Sequence, residues 1–401
     1  MYGFNYVKQS FFPNSTTPIF LVDYWRVEGT DIRATARDML AIQKHIRTIK
    51  GVESVASVVG MGAQRFMLVY EPEKLNSSYG QFIVRVDDYR KIGKISNEVK
   101  QYILSKYPNT EPKIKEIRLG PGGGSKVEVR FSGSDPNVLR RLSNEAQAIL
   151  RASPMAIDVR DDWRQRVKVL TPVYSEKQAR LTGVSRQELS DALQTGFTGK
   201  KVGLYREGKH LIPIISRPPA KERLNIATID DMTVWSPLLN KVVPIGQIVS
   251  SFATKWEDGR IHRRNRLLTI TASAEPRSGP ASVIVDDIMP KIKAIKLPPG
   301  YFMEWGGEYE SSHDAQVALA AKLPFGILLM IIVVIMLFSK VRQPLIIWLT
   351  VPLSFIGVTV GLLSTGSEFG FMALLGFLSL SGMLIKNAIV LIDQIDLEIA
   401  E

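Results

Sequence analysis

The chain contains no cysteine. Disulfides, Cys-ligated zinc, iron–sulfur clusters and thiol nucleophiles are therefore excluded together. The compartment stays open, because a large domain can hold its own core without cross-links. Histidine is scarce. The four present, His45, His210, His262 and His313, are isolated and lack metal-ligand spacing, so neither a metal nor another cofactor is expected. Long runs of one charge are also missing. The net charge is +12, from 51 Lys and Arg against 39 Asp and Glu, but the basic residues are scattered, as in Arg140-Arg141 and Lys200-Lys201. The densest block, Arg260, His262, Arg263, Arg264 and Arg266, reads as a solvated strand approach. It lacks the aromatic set on which single strands stack, and no nucleic-acid partner is expected. The carboxylate pairs Asp161-Asp162 and Asp286-Asp287 read as surface faces. With no nucleophile elbow either, nothing in the sequence supports an enzyme. An apolar h-region is absent from residues 1–12. If the following domain lies outside the membrane, something upstream carried it there, which is a first sign that the chain is a piece of a longer one.

The 401 residues suffice for two or three domains. A mean hydropathy of +0.03 hides a seam: residues 1–310 are mixed and charge-rich, and residues 323–395 are mostly apolar. Within residues 1–310 the same pattern recurs: a strand, a helix of four to five turns, and a strand. Residues 18–27 alternate as a strand, Asp31 caps a helix over 32–49, and 52–59 returns as a strand. Further strands are expected over 65–70, 81–86 and 113–118, with a helix over 90–106. The run Gly120-Pro121-Gly122-Gly123-Gly124-Ser125 reads as a linker and subdomain boundary; a strand, not a helix, follows it, which argues against a phosphate loop. The pattern restarts with a strand over 126–132, a helix over 136–152 with proline in its first turn, and a long strand or hairpin arm over 156–170. A third copy occupies 266–274, 280–295 and 301–305. Such β-α-β units suggest ferredoxin-like α+β sandwiches. Between copies two and three, residues 173–258 read as an insertion. It carries short helices and a hairpin, 201–206 and 210–216, turning at Glu207, Gly208 and Lys209. Inserted subdomains on a rigid scaffold often make partner contacts.

The apolar region holds three candidate spans, 315–338, 345–363 and 371–395, each near the ~20 residues a bilayer needs. Lys340 and Arg342 lie in the first connecting loop, and the second has only Glu368. The positive-inside tendency puts the first loop in the cytoplasm and residues 1–310 outside. Gly357 and Gly361 form a small-xxx-small pair suited to close helix approach. In the third span Gly376, Ser379, Gly382 and Lys386 share one face, the signature of a packed interface. A lysine near the bilayer centre costs about 2.5–3.5 kcal/mol on insertion scales. Snorkelling is the alternative to an ion pair, but Lys386 lies roughly 13 Å of helix rise from the cytoplasmic end. Asp393 is too far along the same helix to bond it, so its carboxylate partner belongs to another helix. Such a pair makes a proton switch, because protonation of the carboxylate removes the attraction and lets helices repack.

These residues carry a resemblance. Phe11-Phe12-Pro13-Asn14, Gly51-Val52-Glu53-Ser54-Val55, Val243-Pro244-Ile245-Gly246 and the span-three segment 382–390 (GMLIKNAIV) occur in the order found in the resistance-nodulation-division (RND) superfamily of efflux pumps. The chain resembles the second half of an inner-membrane multidrug pump over essentially its whole length. The resemblance implies a periplasmic α+β domain of ferredoxin-like porter subdomains, 15–120 and 121–172 with 259–308. It further implies a docking subdomain inserted at 173–258 and an α-helical membrane bundle of which three spans are present. Residues 1–14 would end a preceding span. Lys386 and Asn387 would belong to the proton relay, with partner carboxylates in a first half that this chain lacks. The resemblance implies coupling to the proton-motive force, amphiphilic small-molecule substrates, and a homotrimer with a periplasmic adaptor and an outer-membrane channel. Lys386 points to the hydrophobe-exporting branch, since an acidic residue is expected there in the heavy-metal branch. Met61, Arg65, Phe66 and Phe82 are the substrate-pocket candidates, although phenylalanines expected around residues 56–63 are missing. Two rivals remain: a protein-translocation accessory subunit of the same superfamily, and a non-transporting scaffold in which Lys386 is dispensable.

Overall fold

A computed structural model describes residues 4, 6–7, 11–12, 14–67, 70–118, 124–223, 229–277, 279–338, 342–367 and 369–400. Pro13, Gly120 to Gly123, Lys340 and Glu368, on which parts of the sequence reading rested, lie outside the described residues. The chain divides into two compact units, residues 1–165 with 258–401, and residues 166–257.

The first unit opens with β1 (Ile19–Trp25), α1 (Ile32–Ile46), β2 (Val52–Val59), β3 (Tyr79–Val86), α2 (Ile92–Lys106) and β4 (Glu111–Glu116). Asp31 caps α1, accepting from the Arg33 amide at 2.7 Å, which satisfies one of the amides left free at a helix start. The strands form one sheet in the order β2-β3-β1-β4, antiparallel throughout. Strand alternation decides its two faces. Phe20, Val22 and Tyr24 of β1 pack with Phe82 and Val84 against Met39, Ile42 and Ile46 of α1 and Ile95, Val99 and Ile103 of α2. The other face is mixed, with Leu21 and Ile83 beside its charged and polar groups. Asp23 stands directly opposite Gln81 on one side and Lys113 on the other. The strand expected over 65–70 does not form in the described residues 65–67 and 70. Side chains hold that segment instead: Gln81 Oε1 accepts from the Ala63 amide at 3.1 Å and from the Tyr70 hydroxyl at 2.7 Å.

A second sheet begins with β5 (Val127–Gly133), α3 (Pro136–Ala152) and β6 (Ala156–Asp161). Asp135 caps α3 and Pro136 fills its first turn. The long strand expected over 156–170 breaks after Asp161. Trp163 is fully buried there, its indole N–H donating to the Thr269 carbonyl at 2.8 Å, and Arg164 turns the chain at φ 59°.

The chain then enters the 166–257 unit. It contains β7 (Arg166–Tyr174), α4 (Glu176–Thr182), α5 (Arg186–Phe197), β8 (Lys200–Glu207), β9 (His210–Ser216), α6 (Ala220–Arg223), β10 (Thr233–Ser236), β11 (Lys241–Pro244) and β12 (Val249–Asp258). β7 pairs with β12, so the unit starts at residue 166, seven residues (173 − 166) before the insertion start read from sequence. Its small core joins Ala179, Val184 and Leu189 to Val234, Val243, Ile245, Ile248 and Val249.

Back in the first unit come β13 (His262–Arg264), β14 (Leu267–Pro276), α7 (Ala281–Lys293) and β15 (Phe302–Gly306). β14 pairs with β5 and β6, and β15 closes the far side of β5. The second and third strand–helix–strand copies therefore complete one sheet, in which β6-β14-β5-β15 follow the order of the first and β13 adds a fifth strand on β14. Val129, Phe131, Ile270 and Ala272 pack on α3 and α7 as its core. β15 runs straight into α8 (Gly307–Phe338), followed by α9 (Arg342–Thr365) and α10 (Phe371–Ala400). Among the described residues these three helices are long and apolar enough to cross a membrane. They meet in a cluster of Val334, Ile347 and Ile385 with Phe338, Trp348, Val351, Ala388, Ile389 and Ile392 around it, and α9 and α10 also touch through Phe355 with Phe377 and Gln343 with Asp396.

Candidate functional site

Three places drew sequence-based candidates, and the structure treats each differently. On α10, Ile385 turns into the three-helix contact, while Lys386 and Asn387 are exposed within this chain. Gly376, Ser379 and Gly382 are exposed on the same face. No ion pair to Lys386 forms among the described residues. Gly357 and Gly361 have open space where a Cβ would stand, as do Gly376 and Gly382, so the small-residue faces do not pack on one another here. The helices meet through larger side chains instead. A stripe that excludes lipid poorly and offers a cation has no counterpart among the described residues.

The second place is the gap between the two sheets of the first unit. Their charged faces line it, the two large apolar clusters stay behind the sheets with the helices, and a small one, Leu21, Ala63 and Tyr70, lies on the gap side. Ion pairs join the two sides. Lys113 Nζ lies 2.9 Å from Glu275, Arg260 lies 2.7 Å from Glu73, Arg164 lies 3.1 Å from Glu111, and Lys100 lies 2.8 Å from Asp158. Arg164 and Arg260 also sit over the Trp25 ring, 4.4 and 5.1 Å from its centroid, a favourable position for a cation. Arg260 is thus no part of a solvated approach, as the sequence reading had it. Among the described residues, cavities of about 520 and 420 Å³ in this gap share Glu71, Lys113, Lys115 and Gly124. The larger has an apolar side of Leu21, Phe66, Met67 and Tyr70. Of the four pocket candidates, Phe66 lines it, half-exposed. Met61 and Arg65 precede it on the same segment without lining it. Phe82 points the other way and is fully buried in the core behind the sheet.

Sequence reasoning missed the charged groups that dominate this gap. Asp23 is buried and takes hydrogen bonds from Tyr79 at 2.7 Å and Gln81 at 2.8 Å, with Lys115 at 2.6 Å. Burial pushes its carboxyl up, but Lys115 and these hydrogen bonds outweigh burial and hold its pKa below the ordinary value. Asp161 and Asp162 are not surface groups. Asp161 receives Arg140 and Gln147. Asp162 accepts from the Thr271 amide at 2.8 Å, and burial pushes its carboxyl up to about 6 against the pull of that bond and of His262. The signal was legible in principle: Asp23 alternates with Val22 and Tyr24, and Lys113 and Lys115 alternate with Ile114, which puts these charges on the face away from the helices.

The third place, in the 166–257 unit, is the hairpin. β8 and β9 pair from Lys200 with Ser216 to Glu207 with His210, leaving Gly208-Lys209 as a two-residue turn. Gly208 adopts φ 55°, as the first position of a type II′ turn requires. Glu207, Gly208 and Lys209 are exposed, and so are Leu204, Leu211, Ile212 and Ile215 along the ribbon.

The family model described as the AcrB/AcrD/AcrF family matches residues 1–401. The chain is 24% identical over 408 residues to the nickel and cobalt resistance protein CnrA of Cupriavidus metallidurans, covering 98% of this chain and 38% of the relative. It is 20% identical over 402 residues to the multidrug resistance protein MdtC of Klebsiella pneumoniae, covering 96% and 37%. A crystal structure of a heavy metal efflux pump superposes with a TM-score of 0.80 at 18% identity, over 98% of this chain and 41% of that one, a likeness of fold. The chain spans about 38% of the length of the first of these relatives. Identity is higher to the metal-named relative, so these figures give no support to the branch expectation placed on Lys386.

Proposed function

As the chain belongs to the AcrB/AcrD/AcrF family of RND proteins, we propose that it forms part of a proton-driven pump exporting hydrophobic or amphiphilic compounds across a bacterial envelope. The observation that carries this reading is Lys386: a cation in the middle of an apolar helix, on a small and polar face, with no ion-pair partner among the described residues. A charge held at that depth is costly without a counter-charge. The carboxylate lies on a helix outside this chain, and Asn387 beside it offers an amide to the same partner. When the carboxylate is ionised the pair holds the helices together. When it takes a proton the attraction is lost and the helices repack.

In this reading the pump sits in the inner membrane as a homotrimer with its two ferredoxin-like porter subdomains in the periplasm. The gap between their sheets takes up substrate against Leu21, Phe66, Met67 and Tyr70. The 166–257 unit is the docking subdomain, and its Gly208-Lys209 turn meets the periplasmic adaptor or the outer-membrane channel. A second reading, export of divalent metal ions, is favoured by the names of the metal-resistance relatives. The test is export by the full-length pump with Lys386 or Lys386→Ala at matched membrane levels. It is run with an amphiphilic dye and with nickel in parallel. Loss of dye export with normal assembly supports the proposal. Loss of nickel export alone moves the substrate to the second reading, and unchanged export of both removes the proton-relay role.

A further inference from the structure

The larger cavity between the two sheets is crossed by the buried Lys113–Glu275 pair and by a second, more exposed pair that the fold builds at some cost. Lys100, on α2 behind the first sheet, and Asp158, on β6 of the second, both line it. Lys100 Nζ meets both carboxylate oxygens of Asp158, at 2.8 and 3.0 Å. Asp158 occupies an unusual place. Ser273 stands opposite Arg160 and Glu275 opposite Ile157, so Asp158 and Val159 together face Ala274 alone. This is a β-bulge, a device that re-aims a side chain out of its ladder. Asp158 also adopts φ 54°, the left-handed region where glycine is the default because it has no Cβ. A glycine would satisfy the backbone at lower strain. The residue present instead carries a carboxylate, and that carboxylate reaches the opposite subdomain.

We propose that the Lys100–Asp158 pair is a latch across the cavity, and that breaking it admits solvent and ligand to the wall formed by Leu21. The apolar clusters of this unit each stay within one subdomain, so separation at this edge exposes no shared core. What opposes opening at this edge is a half-buried ion pair, weak enough to break and remake, while the more buried Lys113–Glu275 pair on the same cavity stays in place. The inference rests on the gap being the uptake site, but its mechanics do not.

The chain has no cysteine, so a single introduced thiol reports access without background. Leu21→Cys places one on the cavity wall, where the native side chain is 3% exposed. Val84→Cys places another in the core behind the sheet, away from the cavity. With the 401-residue chain in lipid nanodiscs, the reaction rate of each thiol with a water-soluble maleimide is measured. Asp158→Gly, which suits the bulge, and Lys100→Met, which keeps the stem, are each expected to raise the rate of the cavity-wall thiol about two- to fivefold. That is the opening expected from losing one half-buried pair. The rate of the core thiol stays unchanged. Equal rates at the cavity wall with and without the latch overturn the proposal, and so does a parallel rise in the core, which would mean loss of fold. Protection of the cavity-wall thiol by N-phenyl-1-naphthylamine tests the uptake reading separately. If the dye fails to protect while latch removal still accelerates labelling of Leu21→Cys, the uptake reading falls and the latch stands.

Discussion

Lys113 and Glu275 join the two sheets at a depth where an ion pair can be measured. Their side chains are 7% and 16% exposed, with 2.9 Å between Nζ and Oε1. Burial pushes the Glu275 carboxyl up, but Lys113, with Arg118 and Arg160 further off, holds its pKa below the ordinary value. Removing one member of a buried pair strands the other and costs about 3–5 kcal/mol. Here Ser125 Oγ still accepts from Lys113 Nζ at 2.9 Å, which keeps some of that charge compensated and sets the expectation near ~3 kcal/mol. Lys113→Met and Glu275→Leu should each destabilise the first unit by this amount. The double variant replaces both charges with apolar groups of similar volume, and such exchanges are about neutral. It should therefore be more stable than either single variant. Urea titration of the detergent-solubilised chain, followed by tryptophan emission, gives the three differences. A double variant that loses the sum of the two single losses would falsify the claim that these groups compensate one another.

The pH response of Asp162 has a definite sign. Its folded pKa is raised to about 6 from an ordinary 3.8, so the folded chain binds the extra proton between those values and this group's contribution to stability falls as pH rises through that window. Asp162→Asn, which can still accept from the Thr271 amide, should therefore stabilise the chain at pH 8 and leave it unchanged below pH 4; the opposite pH order in urea midpoints would refute the burial argument. Trp163→Ala should cost about 3–5 kcal/mol for the lost core volume and also leave the Thr269 carbonyl without its donor. Trp163→Phe should cost clearly less, and near-zero urea shifts for both would show that the site is not packed as described.

Local chemistry made much of this fold legible. Asp135 and Pro136 mark the start of α3, and its end at Ala152 falls where the sequence reading put it. The three apolar helices and the Gly208 turn were legible for the same reason, since each depends on a few adjacent residues. The break after Asp161 was not, because it depends on Trp163 finding the Thr269 carbonyl more than a hundred residues later. Nor was the irregular path of residues 65–67, which is flanked by Ala63 and Tyr70, both bonded to Gln81 in a neighbouring strand.

The candidate site follows the same division, with one consequence for where function is sought. Alternation in β1 and β4 says that Asp23, Lys113 and Lys115 share the face away from the helices, but not what covers that face. Hydrophobic pattern led to Phe82, and the same alternation puts Phe82 on the opposite side, in the core. A strand residue two positions from a buried charge shares its face, and a neighbour one position away cannot. Tyr79, Gln81, Ile83 and Arg85 are therefore the β3 residues on that face, and Tyr79 and Gln81 both bond Asp23 there. Candidates chosen for bulk alone fall on either face with equal ease. Candidates chosen by their register with Asp23 fall on the wall of the gap. Lys386 differs in kind: its depth in an apolar helix singles it out whatever its neighbours are, which is why the sequence named it although no ion pair to it forms among the described residues.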